Sequence, residues 1–521
     1  MSYPQDEAQG SCCCRAQGVM LAVYAPFGTD EQLSSFPDGQ TQSLQSHPLL
    51  LNLQKVAATG TPVTALIDLV GNESWLVSIP AGVGAQAAIQ PLGKQDMVAP
   101  QTLATLLATA HRDAPESELV LTIEGHGAGF LPEIDKTQLT MENFTDHGMV
   151  EWRLGAWPEQ PEQLLSRPFK PSGEPLLETG APVLPIGSPT CPTNHLAYST
   201  WAFGEALRLA GVPRIAVVHL SNCFNMSAEV LHTIAPYADY ATGYCNYNFF
   251  SAGEAYPLVF EQLAKVGEAS SEQLAKWFAA ANHAVLLAAG HEPTVAGTVQ
   301  LARMYGIAEK VDELSDALLV ALRGASPEER PAIVEKIRHA IDVAQQYDSR
   351  PDYILDVPDE LTDLDSFAAA LLEEDFRPYK VAPAAEALRV ALEGIKQYGD
   401  TDSPWMDPDV VWDFSSPNLA MNIFLPDPLR LGLWDWRSQY YLEVNPDPGK
   451  PQVQPHIIDF VKVTDWVDFL IEYHRDAAFH GLLPAFIPDV PLATKPCDPR
   501  RRRGGSCEDG RGGRSTFVPR G

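Results

Sequence analysis

The chain has 521 residues and a formal net charge of −31 at neutral pH. A single hydrophobic core usually stops growing at about 250–300 residues, so we expect either several subdomains or one large sheet with additions. The hydrophobic fraction of 45% and the charged fraction of 20% are ordinary for a soluble globular protein. The acidic balance argues against a nucleic acid or an anionic membrane as the main partner, because both are negatively charged themselves.

The sequence also bears on location. It begins MSYPQDEAQG, which is acidic and polar where a secretory signal has a basic region and an apolar run. No stretch reaches the roughly 18 uninterrupted apolar residues of a membrane helix. The eight cysteines have no regular spacing, which suits a reducing compartment better than a disulfide framework. We therefore expect a cytoplasmic protein with no membrane partner.

In chain order, the first half alternates apolar, β-branched runs with amphipathic runs. Strands are predicted at residues 19–25, 63–70, 75–80, 119–125, 214–222 and 238–246. Helices are predicted at residues 99–113, 193–211, 227–238 and 254–267. Strands linked by helices predict an α/β fold with a mostly parallel sheet covered by helices on both faces. In such a sheet, active sites collect at the carboxyl ends of the strands.

Composition divides the chain further. Within a predicted main domain at residues 18–290, residues 131–192 are rich in Pro, Glu and Gly, and a loop of that length is either functional or disordered. Residues 291–495 are predicted to form a largely helical C-terminal subdomain with one returning strand. Residues 1–17 and 496–521 are predicted to be tails. The second tail is rich in Arg and Gly and nearly free of apolar residues, which favours disorder.

Two of the predicted strands end in residues that can do chemistry. One runs into His126, which lies among glycines, and the other ends at Cys223. A cysteine thiolate is a nucleophile, and a helix beginning directly after Cys223 would favour the thiolate through its positive end. A neighbouring histidine can shuttle the proton. The backbone N–H groups of Gly127 and Cys223 could then form an oxyanion hole.

Each residue also has a simpler interpretation. A lone cysteine after a strand is most often a small buried residue, and a lone histidine in a glycine-rich turn is most often a polar turn residue. The two occur at the ends of core strands in the same sheet, which favours a functional pair. The residue pattern by itself leaves both interpretations open.

Several stretches, in order, carry a resemblance to a known family. IEGHGAGF resembles the strand–His–Gly motif of the caspase-like cysteine peptidases, in particular the clostripain family, and VVHLSNCFNMSAEV resembles their nucleophile motif. YADYATGYCNYNFFSAGEAYP resembles the segment that follows it. GTVQLARMYGIAEKVDELSDAL, LDVPDELTDLDSFAAALLE, NLAMNIFLPDP and TDWVDFL resemble later family segments. The likeness spans roughly residues 19–470, and the order of the motifs is more specific than any one of them.

The resemblance implies a caspase–haemoglobinase fold, cleavage of protein substrates at peptide bonds, and a dyad of Cys223 as nucleophile and His126 as proton shuttle. It also implies a zymogen that is matured by cleavage between the His and Cys strands, either by itself or by an upstream protease. The loop at residues 131–192 lies in that interval. Its candidate cleavage sites are Lys136, Arg153, Arg167 and Lys170.

One position departs from the family. Two residues before the nucleophile the family has an Asp that holds a basic P1 side chain, and this chain has Ser221. A buried Lys or Arg head group without a carboxylate is costly. Either another acid supplies the charge, Glu254 being the nearest candidate along the chain, or Tyr244 and its neighbours line a more apolar pocket. The P1 preference is thus either basic or altered.

Neither a metal nor a cofactor is expected. The family's calcium dependence finds no support, because no calcium-binding loop of the D-x-[DN]-x-[DN]-G type occurs.

Two other function classes stay open. One is an inactive caspase-like scaffold that binds a partner protein, and the other is a thiol hydrolase or transferase acting on non-peptide amides. By analogy alone, a cytoplasmic peptidase of this type suggests a regulated protease of bacterial defence.

Overall fold

The computed structural model of the chain describes residues 18–28, 31–37, 39, 43–71, 73–125, 127, 129–130, 199–290, 294–347, 361–399, 402–404, 411–414, 416–425 and 458–479. These residues all lie within one compact unit, Met1–Pro488. The predicted tails, the loop at 131–192 and its four candidate cleavage sites lie outside the described residues.

Nine strands of the described part of the chain form one sheet in the order β10-β8-β7-β6-β5-β1-β2-β3-β4. Two further pairs, β11–β12 and β9–β13, form small separate sheets. The strands are β1 Val19–Pro26, β2 Val63–Asp68, β3 Ser74–Ile79, β4 Ala88–Pro91, β5 Glu118–Glu124, β6 Ile215–Ser221, β7 Ala238–Tyr244, β8 Ala296–Gln300, β9 Leu361–Asp363, β10 Lys396–Tyr398, β11 Asp402–Pro404, β12 Val411–Asp413 and β13 Asn422–Phe424.

The centre of the large sheet is parallel and its edges are antiparallel. Strands β2, β1, β5, β6 and β7 run parallel to one another, whereas β3, β4, β8 and β10 pair antiparallel. The central strands are almost wholly buried, as expected of parallel strands covered on both faces. The prediction of a mostly parallel α/β sheet is confirmed, and the carboxyl ends of β5 and β6 lie side by side.

The helices follow from their apolar faces and their caps. They are α1 Glu31–Ser34, α2 Pro48–Ala58, α3 Pro100–Asp113, α4 Thr200–Ala210, α5 Ala228–Ile234, α6 Ala255–Val266, α7 Ser271–Ala288, α8 Arg303–Gly324, α9 Arg330–Val343, α10 Leu364–Leu372, α11 Val381–Leu392, α12 Asp459–Val463 and α13 Trp466–Phe479. Ser199 caps α4 by accepting from Ala202 N–H, and α7 begins in a capping box of Ser270 and Gln273. Such caps satisfy N–H groups that a helix start leaves open.

Two hydrophobic cores cover the two faces of the sheet. Helices α2, α6 and α7 pack on one face through residues such as Leu53, Phe260 and Phe278. Helices α3, α4, α5 and α8 pack on the other, where the C-terminal elements join the same core. The site at the carboxyl ends of β5 and β6 is therefore supported by both layers.

Strand β13, from the C-terminal part of the chain, contacts the turn that follows Cys223. Asn422 of β13 forms an isolated β-bridge with Ser227. The Asn422 side chain donates to the carbonyls of Phe224 and Cys245 at 2.7 and 2.8 Å. Buried Glu229 accepts the Phe424 N–H at 2.9 Å. Strand β8, which follows the predicted boundary at residue 290, lies in the main sheet. The division into subdomains stays a prediction.

No helix among the described residues is long and apolar enough to cross a membrane. The cytoplasmic location stays a prediction.

Candidate active site

Cys223 follows the last residue of β6 and its thiol is enclosed by backbone. The Asn248 N–H donates to Cys223 Sγ at 3.3 Å, and the thiol donates to Asn248 O at 3.4 Å. The residue retains some exposed surface, yet burial raises the pKa of its thiol to about 11, while the hydrogen bond with Asn248 opposes the shift. In this state the sulfur is therefore a protonated thiol and not a thiolate.

The helix expected directly after Cys223 begins later. Helix α5 starts at Ala228. In the turn between Cys223 and α5, the N–H groups donate to residues at the end of β7 and just beyond it: Phe224 N–H donates to Asn246 O and Met226 N–H to Tyr244 O. Phe224 has a φ of 61°, a left-handed backbone conformation that is uncommon for a bulky residue. The end of a helix dipole is thus not beside the sulfur, which agrees with the raised pKa of the thiol.

The glycine after His126 lies directly against the nucleophile's backbone. A Cβ placed on Gly127 would come within 2.0 Å of Cys223 O and 2.9 Å of Cys223 N, so only a glycine fits. Neither the Gly127 N–H nor the Cys223 N–H donates to another described residue. His126 itself lies outside the described residues, but its neighbour brings the end of β5 into contact with Cys223.

An acid that the sequence analysis did not single out lies beside the predicted pocket residue. Glu124, the last residue of β5, pairs in register with Ser221, the last residue of β6. Glu124 is 1% exposed, and Tyr256 of α6 donates its hydroxyl to Glu124 Oε1. Burial raises the pKa of Glu124 to about 7, and the hydroxyls of Tyr256 and Ser221 oppose the shift. Its Oε2 accepts no hydrogen bond from the described residues.

A second titratable side chain, His219, lies on the same face of the sheet as Glu124. His219 of β6 is fully buried and stacks on Phe278 of α7 with ring centroids 4.8 Å apart. Burial lowers its pKa to about 3, so the imidazole is neutral at physiological pH. His219 is therefore a buried neutral ring and not a second proton shuttle.

One segment covers the ends of several strands. It leaves β7, holds the Cys223 thiol through Asn248, and places the Phe250 ring against Phe27 at the end of β1, with centroids 5.0 Å apart. The Asn248 side chain accepts from Asn282 of α7 at 3.0 Å. In the sheet β5 lies between β6 and β1, so the segment 245–252 makes contacts on both sides of the end of β5. We call this segment the cover loop.

The two other candidate pocket residues, Tyr244 and Glu254, have different surroundings from Ser221. Tyr244, at the end of β7, is fully buried in a small cluster with Leu286 and Ala296, and burial raises its pKa. Glu254 is exposed at the start of α6. Neither residue contacts Ser221 through a hydrogen bond among the described residues, whereas Glu124 lies next to it.

No group of three or more His, Cys, Asp and Glu side chains within the described ranges could hold a metal ion. The expectation that the protein needs no cofactor stays a prediction.

The comparisons with known proteins concern the fold. A secreted C11 cysteine protease from Bacteroides thetaiotaomicron, solved in complex with an irreversible peptide inhibitor, has a TM-score of 0.53 and 12% identity over 86% of this chain and 99% of that chain. Another structure, a secreted C11 cysteine protease named iotapain from the same organism, has a TM-score of 0.49 and 11% identity over 79% and 94%. An inactive zymogen C11 protease from Parabacteroides distasonis has a TM-score of 0.49 and 12% identity over 78% and 92%.

No protein-family model matches the sequence, and no curated protein does. At 12% identity, the first of the solved structures shows a shared fold and not a shared activity. The predicted caspase-like α/β fold is therefore confirmed. The fold is similar to that of the C11 cysteine protease solved with a peptide inhibitor, which is the clostripain-like fold that the sequence motifs predicted.

Proposed function

We propose that the protein is a cysteine endopeptidase that hydrolyses peptide bonds of protein substrates, with Cys223 as nucleophile and His126 as proton shuttle. The observation that carries the proposal is the contact between Gly127 and the backbone of Cys223. This contact brings Gly127, the residue after His126, to the nucleophile at the ends of neighbouring parallel strands, although the two residues are 96 positions apart in the sequence. The peptide inhibitor bound by the C11 protease of the same fold supports a peptide substrate.

The chemistry would be acyl transfer in two steps. His126 takes the Cys223 thiol proton as the sulfur attacks the scissile carbonyl carbon, and the N–H groups of Gly127 and Cys223 stabilise the resulting oxyanion. The C–N bond then breaks, and the leaving amine takes the proton from His126. Water, deprotonated by His126, hydrolyses the thioester and regenerates the free thiol.

The state of the thiol supports latency. With its pKa raised to about 11, very little of Cys223 is thiolate at neutral pH, and the cover loop holds the sulfur through Asn248. We infer that activation requires the thiol to leave Asn248. Cleavage in the interval 131–192, at Lys136, Arg153, Arg167 or Lys170, by the enzyme itself or by an upstream protease, would be the trigger. A cytoplasmic location and a role in bacterial defence belong to the same proposal by analogy alone.

The test uses a panel of fluorogenic peptides that differ at P1. Wild type, Cys223→Ala and His126→Ala are each incubated with the panel before and after limited proteolysis of the 131–192 interval. Cleavage that needs both residues is expected, and it should rise after proteolysis. If no peptide is cut in a Cys223-dependent manner under either condition, the peptidase proposal is wrong.

A second candidate is a catalytically inactive scaffold that binds a partner protein. The enclosed, protonated thiol of Cys223 and the absence of an Asp at position 221 favour it. The two candidates differ in thiol chemistry: an enzyme should show a Cys223 that becomes alkylated faster after loop proteolysis, whereas a scaffold should not.

A further inference from the structure

We propose that Glu124 supplies the acid that position 221 lacks, so that its carboxylate form selects Lys or Arg at P1 and its neutral form admits an uncharged P1 side chain. This inference rests on the peptidase function proposed above. It names the residue that would set the P1 preference and the condition under which that preference changes.

Glu124 lies next to the position at which the family has its Asp. Glu124 and Ser221 are directly paired on neighbouring parallel strands, and hydrogen-bonded strands lie about 4.8 Å apart. Both side chains lie on the face covered by α6, because Tyr256 of that helix reaches Glu124 and its pKa is affected by Ser221. Glu124 precedes His126 by two residues, as Ser221 precedes Cys223. An acid at either position would therefore be near the reacting groups.

One oxygen of the Glu124 carboxyl is not within hydrogen-bond distance of a donor. Tyr256 donates to Oε1, whereas Oε2 has no such partner among the described residues, although the Ser221 hydroxyl is near enough to lower the pKa of the carboxyl. A buried carboxyl oxygen without a donor costs free energy. An ammonium or guanidinium group from a substrate would supply the missing donors and, because Ser221 is short, would meet no second carboxylate.

Access to Glu124 requires a movement of the surrounding protein. In the resting structure Glu124 is 1% exposed, and the cover loop, which contacts the ends of the strands on both sides of β5, also holds the Cys223 thiol through Asn248. The thiol must leave Asn248 before it can attack. A movement of the cover loop that frees the sulfur would therefore also open the carboxyl, so that nucleophile and pocket become available together.

Few other charged groups lie near Glu124. Tyr256 faces Glu124 from α6 and has its pKa raised by burial, and His219 on β6 has its pKa lowered to about 3, so both are neutral near pH 7. Behind Phe27, His47 has its pKa lowered by burial and its ring contacts Leu33 O. Thr122 on β5, Ser221 on β6, Ala25 on β1 and Phe278 on α7 are uncharged, whereas Lys55 of α2, a helix on the same face, is exposed and donates to Asn52. Of the groups named here, Glu124 has a pKa of about 7, so its charge changes near neutral pH.

The experiment compares loop-cleaved wild type with Glu124→Gln on two peptides that differ only in Arg or Gln at P1. The measured quantity is the ratio of their kcat/KM values between pH 5.5 and 8.5, in which the shared titrations of His126 and Cys223 cancel. In wild type the ratio should rise with pH through about 7. In Glu124→Gln it should fall by about 100-fold at pH 8, the loss expected when one partner of a buried charge pair is removed, and become independent of pH.

Three further variants sharpen the test. Glu124→Gln/Ser221→Asp should regain the Arg preference, because it returns a carboxylate to the same side of the site. Tyr256→Phe should move the midpoint of the ratio to higher pH, since the lost hydroxyl no longer stabilises the carboxylate. Glu254→Gln is the matched control: it removes an exposed acid at the start of α6 and should leave the ratio unchanged. A ratio that is unaltered in Glu124→Gln, or that follows Glu254 instead, overturns the inference.

A measurement without turnover separates the two proposals. After proteolysis of the 131–192 interval, agmatine and benzamidine should slow the alkylation of Cys223 at pH 8 in wild type and not in Glu124→Gln. Protection without any Cys223-dependent cleavage would support the pocket and contradict the peptidase. Cleavage without Glu124-dependent protection or selection would support the peptidase and contradict the pocket.

Discussion

The Cys223 thiol and the Asn248 backbone hydrogen-bond in both directions, with Asn248 N–H donating to the sulfur at 3.3 Å and the thiol donating to Asn248 O at 3.4 Å. The carbonyl can accept only while the sulfur keeps its proton. Burial favours the thiol over the thiolate and outweighs the opposing effect of the hydrogen bond with Asn248, so that the pKa of the thiol is raised to about 11. While the Asn248 backbone encloses the sulfur, the candidate nucleophile is an unreactive, protonated thiol.

Alkylation of Cys223 should be slow in the intact chain. Raising the pKa from 9.0 to about 11 reduces the thiolate fraction at pH 7.5 by about 100-fold, because each pKa unit is a factor of ten. The rate of iodoacetamide labelling, followed by mass spectrometry of the Cys223 peptide, should keep rising up to about pH 11. Cleavage in the 131–192 interval should shift the profile to lower pH. A midpoint near that of an ordinary thiol in the intact chain would contradict the enclosed state.

Gly127→Ala should abolish most of the activity. The new Cβ would lie 2.0 Å from Cys223 O, so the two strand ends must separate and the oxyanion donors must move apart. Loss of one such donor typically costs about 10²–10³ in kcat, which steady-state kinetics on the best peptide would measure. The control is Gly306→Ala on α8, where a Cβ meets nothing within 4 Å. That variant should keep its activity and gain up to about 1 kcal/mol of stability, because Ala is a better helix former than Gly.

Glu124→Gln should change how stability depends on pH. The folded-state pKa of Glu124 is raised from 4.5 to about 7, so the folded protein binds more protons than the unfolded chain between these values. The free energy of unfolding of wild type therefore falls as pH rises through that window. The variant lacks this contribution, and its stability relative to wild type should increase by on the order of 3 kcal/mol between pH 4.5 and pH 8. Urea unfolding at several pH values measures the difference. A difference that is constant with pH would mean that Glu124 is already ionised in the folded protein.

Asn422→Ala should destabilise the site from below. The Asn422 amide donates to Phe224 O and Cys245 O, at 2.7 and 2.8 Å, and so joins the turn after Cys223 to the end of β7. Its removal leaves two buried carbonyls without these donors, which costs about 2–4 kcal/mol. The free energy of unfolding and the Cys223 labelling rate should both change. The control Asn418→Ala removes a longer contact, 3.3 Å to Asp365, and should cost less; an equal cost would contradict a special role for Asn422.

Local pattern predicted most of the central elements. The predicted strands at 119–125 and 214–222 are β5 Glu118–Glu124 and β6 Ile215–Ser221, since continuous apolar runs are buried on both faces. The sequence pattern did not predict α2, Pro48–Ala58, or β4, Ala88–Pro91. Strand β4 is largely exposed at the sheet edge, so it has no buried face to produce a pattern. The helix after Cys223 was predicted to begin too early, because the turn donates to residues about 20 positions away and no local signal records this.

The local sequence does not mark Glu124 as a functional residue, because a single Glu at a strand end resembles a solvent-exposed terminus. One signal in the sequence points to it. Glu124 and Ser221 each precede a candidate catalytic residue by two positions. On neighbouring parallel strands, residues at the same distance from the strand ends lie next to each other.

The sequence by itself determined the alternation of strands and helices, the parallel core, and the order of motifs that pointed to a clostripain-like fold. These depend on local periodicity and on which residue types can be buried. Only the tertiary structure decided that Gly127 touches Cys223, that Asn248 holds the thiol, and that buried Glu124 lies opposite Ser221. Each of these depends on strand register and on contacts between distant segments. Burial, which sets the protonation of Cys223 and Glu124, exists only once those segments have packed together.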